Sequence, residues 1–149
     1  MPARDVYHQV VVKALVADGW VVTHDPLSLS YGGRDLYVDL GAEDVTVGAA
    51  RHGCQIAVEI KSFLSTSVLA DLERALGQHS LYRAVLHKLQ PKRTLYLAVP
   101  QRVFDGILSE RLGRLIVEVE QIALVVFDEQ EERITQWTPS PATAPSSEG

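Results

Sequence analysis

Two apolar periods alternate along this chain of 149 residues, and that alternation restricts the fold more than any other feature. Apolar residues recurring every three to four positions mark a helix with one packed face. Recurrence at every second position marks a half-buried strand. The helical period runs first from Ala3 to Asp18. There Val6, Val10 and Ala14, and also Tyr7, Val11 and Leu15, recur at four-residue steps, and Gly19 supplies a stop. The run Val10-Val11-Val12 pulls toward strand by propensity. The period returns from Val68 to Leu89, between the capping hydroxyls of Ser65, Thr66 and Ser67 and the stop at Pro91. It returns again from Gln101 to Val119, with interruptions expected at Gly106 and Gly113.

Strands are expected at Trp20–Thr23, Leu36–Leu40, Ile56–Ser62, Thr94–Val99, Ile122–Phe127 and Ile134–Trp137. In the second, Leu36, Val38 and Leu40 take one face and Tyr37 and Asp39 the other. Ser28–Arg34, around Gly32-Gly33, reads as a loop. Glu43–Gln55 reads as a connection that could extend a hairpin before turning, and Asp128–Arg133 as a charged turn. The fold class is therefore α/β, a mixed central sheet of at least four strands flanked by the Ala3–Asp18 and Val68–Leu89 helices. One domain is expected over residues 1–138. The run PSPATAPSSEG, residues 139–149, has no apolar side chain larger than alanine and is expected to be a disordered tail.

Charge and cysteine content exclude several classes of protein. The chain carries 14 basic and 19 acidic residues, a net charge of −5 with histidines neutral. That balance argues against coating nucleic acid by bulk charge, though it leaves room for a local basic face. A single cysteine, Cys54, permits no intrachain disulfide and no multi-cysteine metal site. No apolar run approaches the roughly 18 residues of a membrane helix, and the N-terminus does not resemble a secretory signal. No membrane role is expected, and the expected compartment is the cytoplasm.

One constellation points to chemistry. Asp39 ends one strand, and Glu59 and Lys61, two apart on the next, share a face. If the two strands pair, Asp39 approaches Glu59. Two carboxylates and the backbone carbonyl of Ile60 then form an all-oxygen site suited to Mg²⁺. Lys61 beside it could stabilise a hydroxide nucleophile or charge growing on a phosphate. The plain alternative is a solvated strand face with a surface ion pair. Gln78 and Tyr82, four apart, stack on one face of the Val68–Leu89 helix. On the residues alone, Tyr82 packs at the helix–sheet boundary and Gln78 is solvated. Asp5 and His8 share a face of the first helix, where Asp5 favours the helix N-terminus. His24, His52, His79 and His87 show no ligand spacing and read as surface residues, Trp20 and Trp137 as packing, and Cys54 as an unreactive thiol.

The element order, with Asp39 at the second strand and Glu59-x-Lys61 at the third, resembles the PD-(D/E)xK nuclease superfamily. In that motif Val38 stands where the proline would be. Gln78-x-x-x-Tyr82 is similar to a pattern of RecB-like nucleases. The resemblance implies a restriction-endonuclease-like core, and for Asp5 the place of a helix-one carboxylate. Longer blocks are more specific: PARDVYHQVVVKALVADGWVVTHDPL, DLYVDLGAE, IAVEIKSF, LERALGQHSLYR and LYLAV. In order, from about Pro2 to Trp137, they resemble the XisH family, the fdxN element excision controlling factor proteins found chiefly in cyanobacteria. That resemblance implies an accessory role in excising a DNA element, with a separate recombinase catalysing the rearrangement and an XisI-like protein as partner. Two readings follow. One is a Mg²⁺-dependent phosphodiesterase acting on DNA. The other is a non-enzymatic regulator that keeps a nuclease fold and binds a protein. The apolar residues late in the chain, Ile107, Leu108, Leu112, Leu115, Ile116, Ile122, Leu124, Val126 and Phe127, either pack on the sheet or offer a patch for a homo-oligomer or hetero-complex.

Overall fold

The computed structural model describes residues 6–46 and 51–141. Asp5, the start of the expected first helix and residues 142–149 of the expected tail lie outside the described residues. The elements run α1 (His8–Ala17), β1 (Trp20–His24), β2 (Leu27–Tyr31), β3 (Arg34–Val38), β4 (Leu40–Asp44), β5 (Gln55–Ile60), α2 (Val68–Leu89), β6 (Thr94–Pro100), α3 (Gln101–Asp105), α4 (Arg111–Val119), β7 (Ala123–Asp128) and β8 (Arg133–Thr138). A 3-10 turn, Ile107–Ser109, links α3 to α4.

Six strands form one mixed sheet in the order β1-β4-β5-β6-β7-β8. The β5/β6 and β6/β7 pairs are parallel and the others antiparallel. Parallel neighbours need a crossover, and α2 supplies the first, α3 and α4 the second. The expected mixed sheet between helices is the architecture observed. Ile56, Val58 and Ile60 of β5 pack with Val11 and Leu15 of α1 in one core. Ala57 points the other way, into a cluster with Leu86 of α2 and Leu27, Leu29 and Val38. Leu97, Val99, Leu124 and Val126 meet Leu72 and Ala75 of α2 on that second face. Both faces are covered, which is why the central strands are apolar throughout. Among the described residues, no helix is long and apolar enough to cross a membrane.

Several expectations are corrected. Ser28–Arg34 is not a loop: β2 and β3 pair antiparallel from Leu27↔Val38 to Tyr31↔Arg34, a hairpin separate from the main sheet. Gly32 and Gly33 turn it with φ of 60° and 79°, the left-handed pair that a two-residue hairpin requires. Alternating serines on its outer side disguise β2 as a polar loop. Leu36–Leu40 is not one strand: β3 ends at Val38, and β4 begins at Leu40 in the other sheet. The expected Glu43–Gln55 connection is shorter, because Glu43 and Asp44 still belong to β4. Gly106 does interrupt the helix, but Gly113 lies inside α4. A Cβ at Gly113 would sit 2.0 Å from the Ile107 carbonyl oxygen, so glycine there permits close packing of helix on turn. At the end of the domain, the Tyr96 hydroxyl donates to the Pro139 carbonyl at 2.7 Å, so the first residue of the expected tail is held against the sheet.

The α2 boundaries, Val68–Leu89, coincide with the expected ones. Ser67 is the N-cap, its side chain accepting from the Ala70 N–H at 3.1 Å. Ser67→Ala is expected to cost about 1 kcal/mol. Urea unfolding should show a lower midpoint with an unchanged slope; an unmoved midpoint would refute the capping role.

Candidate metal and phosphodiester site

The break at Asp39 creates the site. Leu40 pairs with Val58, so β4 leaves the last two residues of β5, Glu59 and Ile60, uncovered. Ile60 there would lack a backbone partner for its N–H, and the Asp39 carboxylate accepts it through Oδ2 at 2.8 Å. In return the Asp39 N–H donates to Glu59 Oε1 at 3.2 Å. Each carboxylate thus secures a backbone N–H near the other, and the two acids are held side by side. A residue's N–H and C=O leave an extended strand on the same edge, so the Ile60 carbonyl lies on the Asp39 side of β5.

Glu59 is 6% exposed, on the sheet face turned to α2. Its carboxyl is pushed up from 4.5 to about 8, first by burial and then by the negative charge of Asp39. Lys61, with Nζ 3.5 Å from Glu59 Oε2, pulls the other way without offsetting those two causes. Tyr82 of α2 is half-buried over the same acids. Its hydroxyl is raised by burial, then by the charges of Glu59 and Asp39. Gln78, one turn earlier, has a buried Oε1 with no hydrogen-bond partner. It lines a cleft of about 350 Å³ with Lys61, Ser62, Phe63, Leu64, Ser65, Asp71 and Arg74.

Sequence reasoning named Asp39, Glu59, Ile60, Lys61, Gln78 and Tyr82, and the fold gathers these six at one end of β5. Asp5 lies outside the described residues. His8 is elsewhere: its Nε2 is 2.8 Å from Asp25 Oδ1, and α1 packs on the opposite sheet face from Glu59. His79 is not a surface residue. It is buried on α2, and burial pushes its imidazole down to about 4, with Arg83 adding a like-charge effect. Trp20 is core packing as expected, stacked near Trp137 at 5.3 Å.

Two further residues shape the site. Arg74 lies four before Gln78 on α2 and lines the cleft, held to Asp71 at 2.5 Å. Its spacing from Gln78 and Tyr82 was a signal available in the sequence. Arg102 of α3 donates to the carbonyls of Ser62 and Phe63, the latter at 3.2 Å. It fixes the turn after Lys61, where Phe63 takes φ of 53°. No sequence spacing connects residues 40 apart on different elements.

A divalent cation fits this donor set. A buried carboxylate and a half-buried one that repel each other, with Glu59 raised to about 8, are what a cation at that point would relieve. Among the described residues no cluster of three His, Cys, Asp or Glu could hold a metal. Two carboxylates and a carbonyl suit Mg²⁺, which keeps several waters, better than a metal needing a closed protein cage.

Comparison with known proteins gives a consistent result. The family model of XisH protein matches residues 1–135. An XisH family protein from Nostoc punctiforme is 40% identical, with a TM-score of 0.81, over 89% of this chain and 98% of that one. A fdxN element excision controlling factor protein from Anabaena variabilis is 41% identical, also with a TM-score of 0.81, over 90% of this chain and 98% of that one. No curated protein matches the chain.

Proposed function

The chain belongs to the XisH family, and on that premise we propose that it is a controlling factor for excision of a DNA element, with a Mg²⁺-dependent phosphodiesterase site at Asp39, Glu59 and Lys61. The observation that carries this reading is Glu59, buried beside Asp39 and raised to about 8. A buried acid beside a second carboxylate is costly to keep, and such perturbed groups concentrate at functional sites.

The residues divide the work. Asp39, Glu59 and the Ile60 carbonyl would hold Mg²⁺, which when bound supplies an acidified water and a polarised phosphoryl oxygen. Lys61 stands beside Glu59 and stabilises the hydroxide or the charge growing on the phosphate. Water oxygen bonds to phosphorus, one bridging P–O bond breaks, and the departing oxygen takes up a proton. Gln78 offers its amide to the substrate from the cleft, and Tyr82 shields the acids from bulk water. An XisI-like protein is the proposed partner.

Cleavage of plasmid and short duplex DNA with Mg²⁺ tests the reading. Wild-type protein should nick DNA, Asp39→Asn should not, and Lys61→Met should be slower by about a hundredfold. Absence of cleavage by the wild type, alone and with the XisI-like protein, would leave the second reading, a non-enzymatic regulator. The acidic balance of the whole chain, −5, is the observation that favours it.

A further inference from the structure

Charge is strongly segregated along this acidic chain. Residues 74–104 contain six Lys and Arg and no Asp or Glu, whereas the other 118 residues contain eight basic and 19 acidic ones. Most of that stretch is the solvent side of α2 and the turn after it. Arg83, His87, Lys88 and Lys92 are all exposed there. Arg93 and Arg102 are committed elsewhere: Arg93 is buried on the Ile56 carbonyl, and Arg102 clamps the turn after Lys61. Arg74 faces Asp71, and Glu73 lies beside it, so the uncompensated charge is on the C-terminal half of the helix. Arg83 donates to the Glu120 backbone carbonyl, which fixes it at the α4 side. Among the described residues no ion pair holds Lys88 or Lys92.

The β2–β3 hairpin packs against this same half of α2, through Leu27, Leu29, Tyr82, Val85 and Leu86. Its tip carries Tyr31 opposite Arg34, both exposed. Its second strand runs directly into Asp39. The hairpin thus packs on the cationic half of α2 and leads into the acidic site, with a cation and an aromatic ring at its tip.

We infer that this face, Arg83, Lys88 and Lys92 of α2 with Arg34 of the hairpin, docks the phosphate backbone of duplex DNA and leads it to the Asp39–Glu59 end of β5. The inference rests on the reading that the site acts on DNA, but the docking needs neither metal nor cleavage. It reconciles a net charge of −5 with DNA binding, because backbone affinity depends on local cations rather than on the sum. The acidic remainder repels the duplex and so restricts it to this one face.

Fluorescence anisotropy with a labelled duplex, in EDTA, tests it apart from the nuclease reading. Wild type should bind, with a log–log salt slope of about −3 for three to four neutralised phosphates. Arg83→Glu/Lys88→Glu/Lys92→Glu should weaken binding more than tenfold and flatten the slope. Lys13→Glu, on the α1 face, should change nothing. Circular dichroism checks folding, and the milder Lys88→Gln/Lys92→Gln pair should show a smaller loss in the same direction. Three outcomes would overturn the inference: no binding by the wild type, an unaltered slope in the triple variant, or equal binding of duplex RNA or polyglutamate. Loss of cleavage with binding intact would overturn only the enzymatic reading.

Discussion

Titration with Mg²⁺ at pH 7 is expected to release close to one proton for each ion bound. Glu59 is raised to about 8, by burial first and by Asp39 second, so at pH 7 the acid pair holds a proton that a cation must displace. The sign follows. Below about 8 the ion competes with the proton, so affinity rises with pH and levels off once the pair is ionised. Apparent affinity should increase about fiftyfold from pH 6 to pH 8, close to tenfold per unit in the lower half of that range. Calorimetry in two buffers of different ionisation enthalpy reads the proton directly. Glu59→Gln should bind no ion and release no proton. Binding that is independent of pH and unaccompanied by proton release would place the ion elsewhere. Because the proton belongs to the pair, the titration reports the two carboxyls jointly.

The second large effect is on stability, and it runs against the usual cost of mutating a buried residue. Glu59 has a folded-state value of about 8 against 4.5 for an ordinary glutamate. Between those two values the native state binds more protons than the unfolded chain, so stability falls as pH rises across that window. Its contribution is fully present below the lower value and lost above the upper one. In metal-free buffer the wild type should therefore weaken from pH 5 to pH 8. Glu59→Gln, isosteric and uncharged, should escape that fall and exceed the wild type by about 2 kcal/mol at pH 8, after discounting for local relaxation. In thermal unfolding this is a gain of about 4–8 °C in a domain of this size. Saturating Mg²⁺ should raise the wild type and leave the variant unmoved. A variant less stable than the wild type at pH 8 would show that Glu59 supports the fold as an anion. A gain confined to high pH would identify a group kept for function at the expense of stability.

The helix Val68–Leu89 was legible to the residue because its signals are local: a capping serine, a long apolar stripe and a proline stop. The face alternation of β5 was equally legible, since side chains in a strand alternate whatever they pair with. Glu59 opposite Ile60 was therefore secure before any partner strand was known. The hairpin β2–β3 was not legible. Its solvent-side serines match a loop composition, and its pairing is a contact between segments rather than a property of either.

The site divides along the same line. The sequence by itself determined which side chains could serve: two acids, a lysine on the same face as one of them, and a Gln–Tyr pair on one face of a helix. Whether Asp39 met Glu59 depended on β4 starting two residues short of Ile60, so that a carboxylate replaced a ladder partner there. Burial of Glu59 depended on α2 and the hairpin closing over it, and that burial is the larger cause of its raised value. The turn after Lys61 depended on Arg102, brought from 40 residues away. Spacing along one element is fixed by backbone geometry and can be read from residue order. Proximity between elements, and the desolvation that follows from it, exists only once the layers have packed.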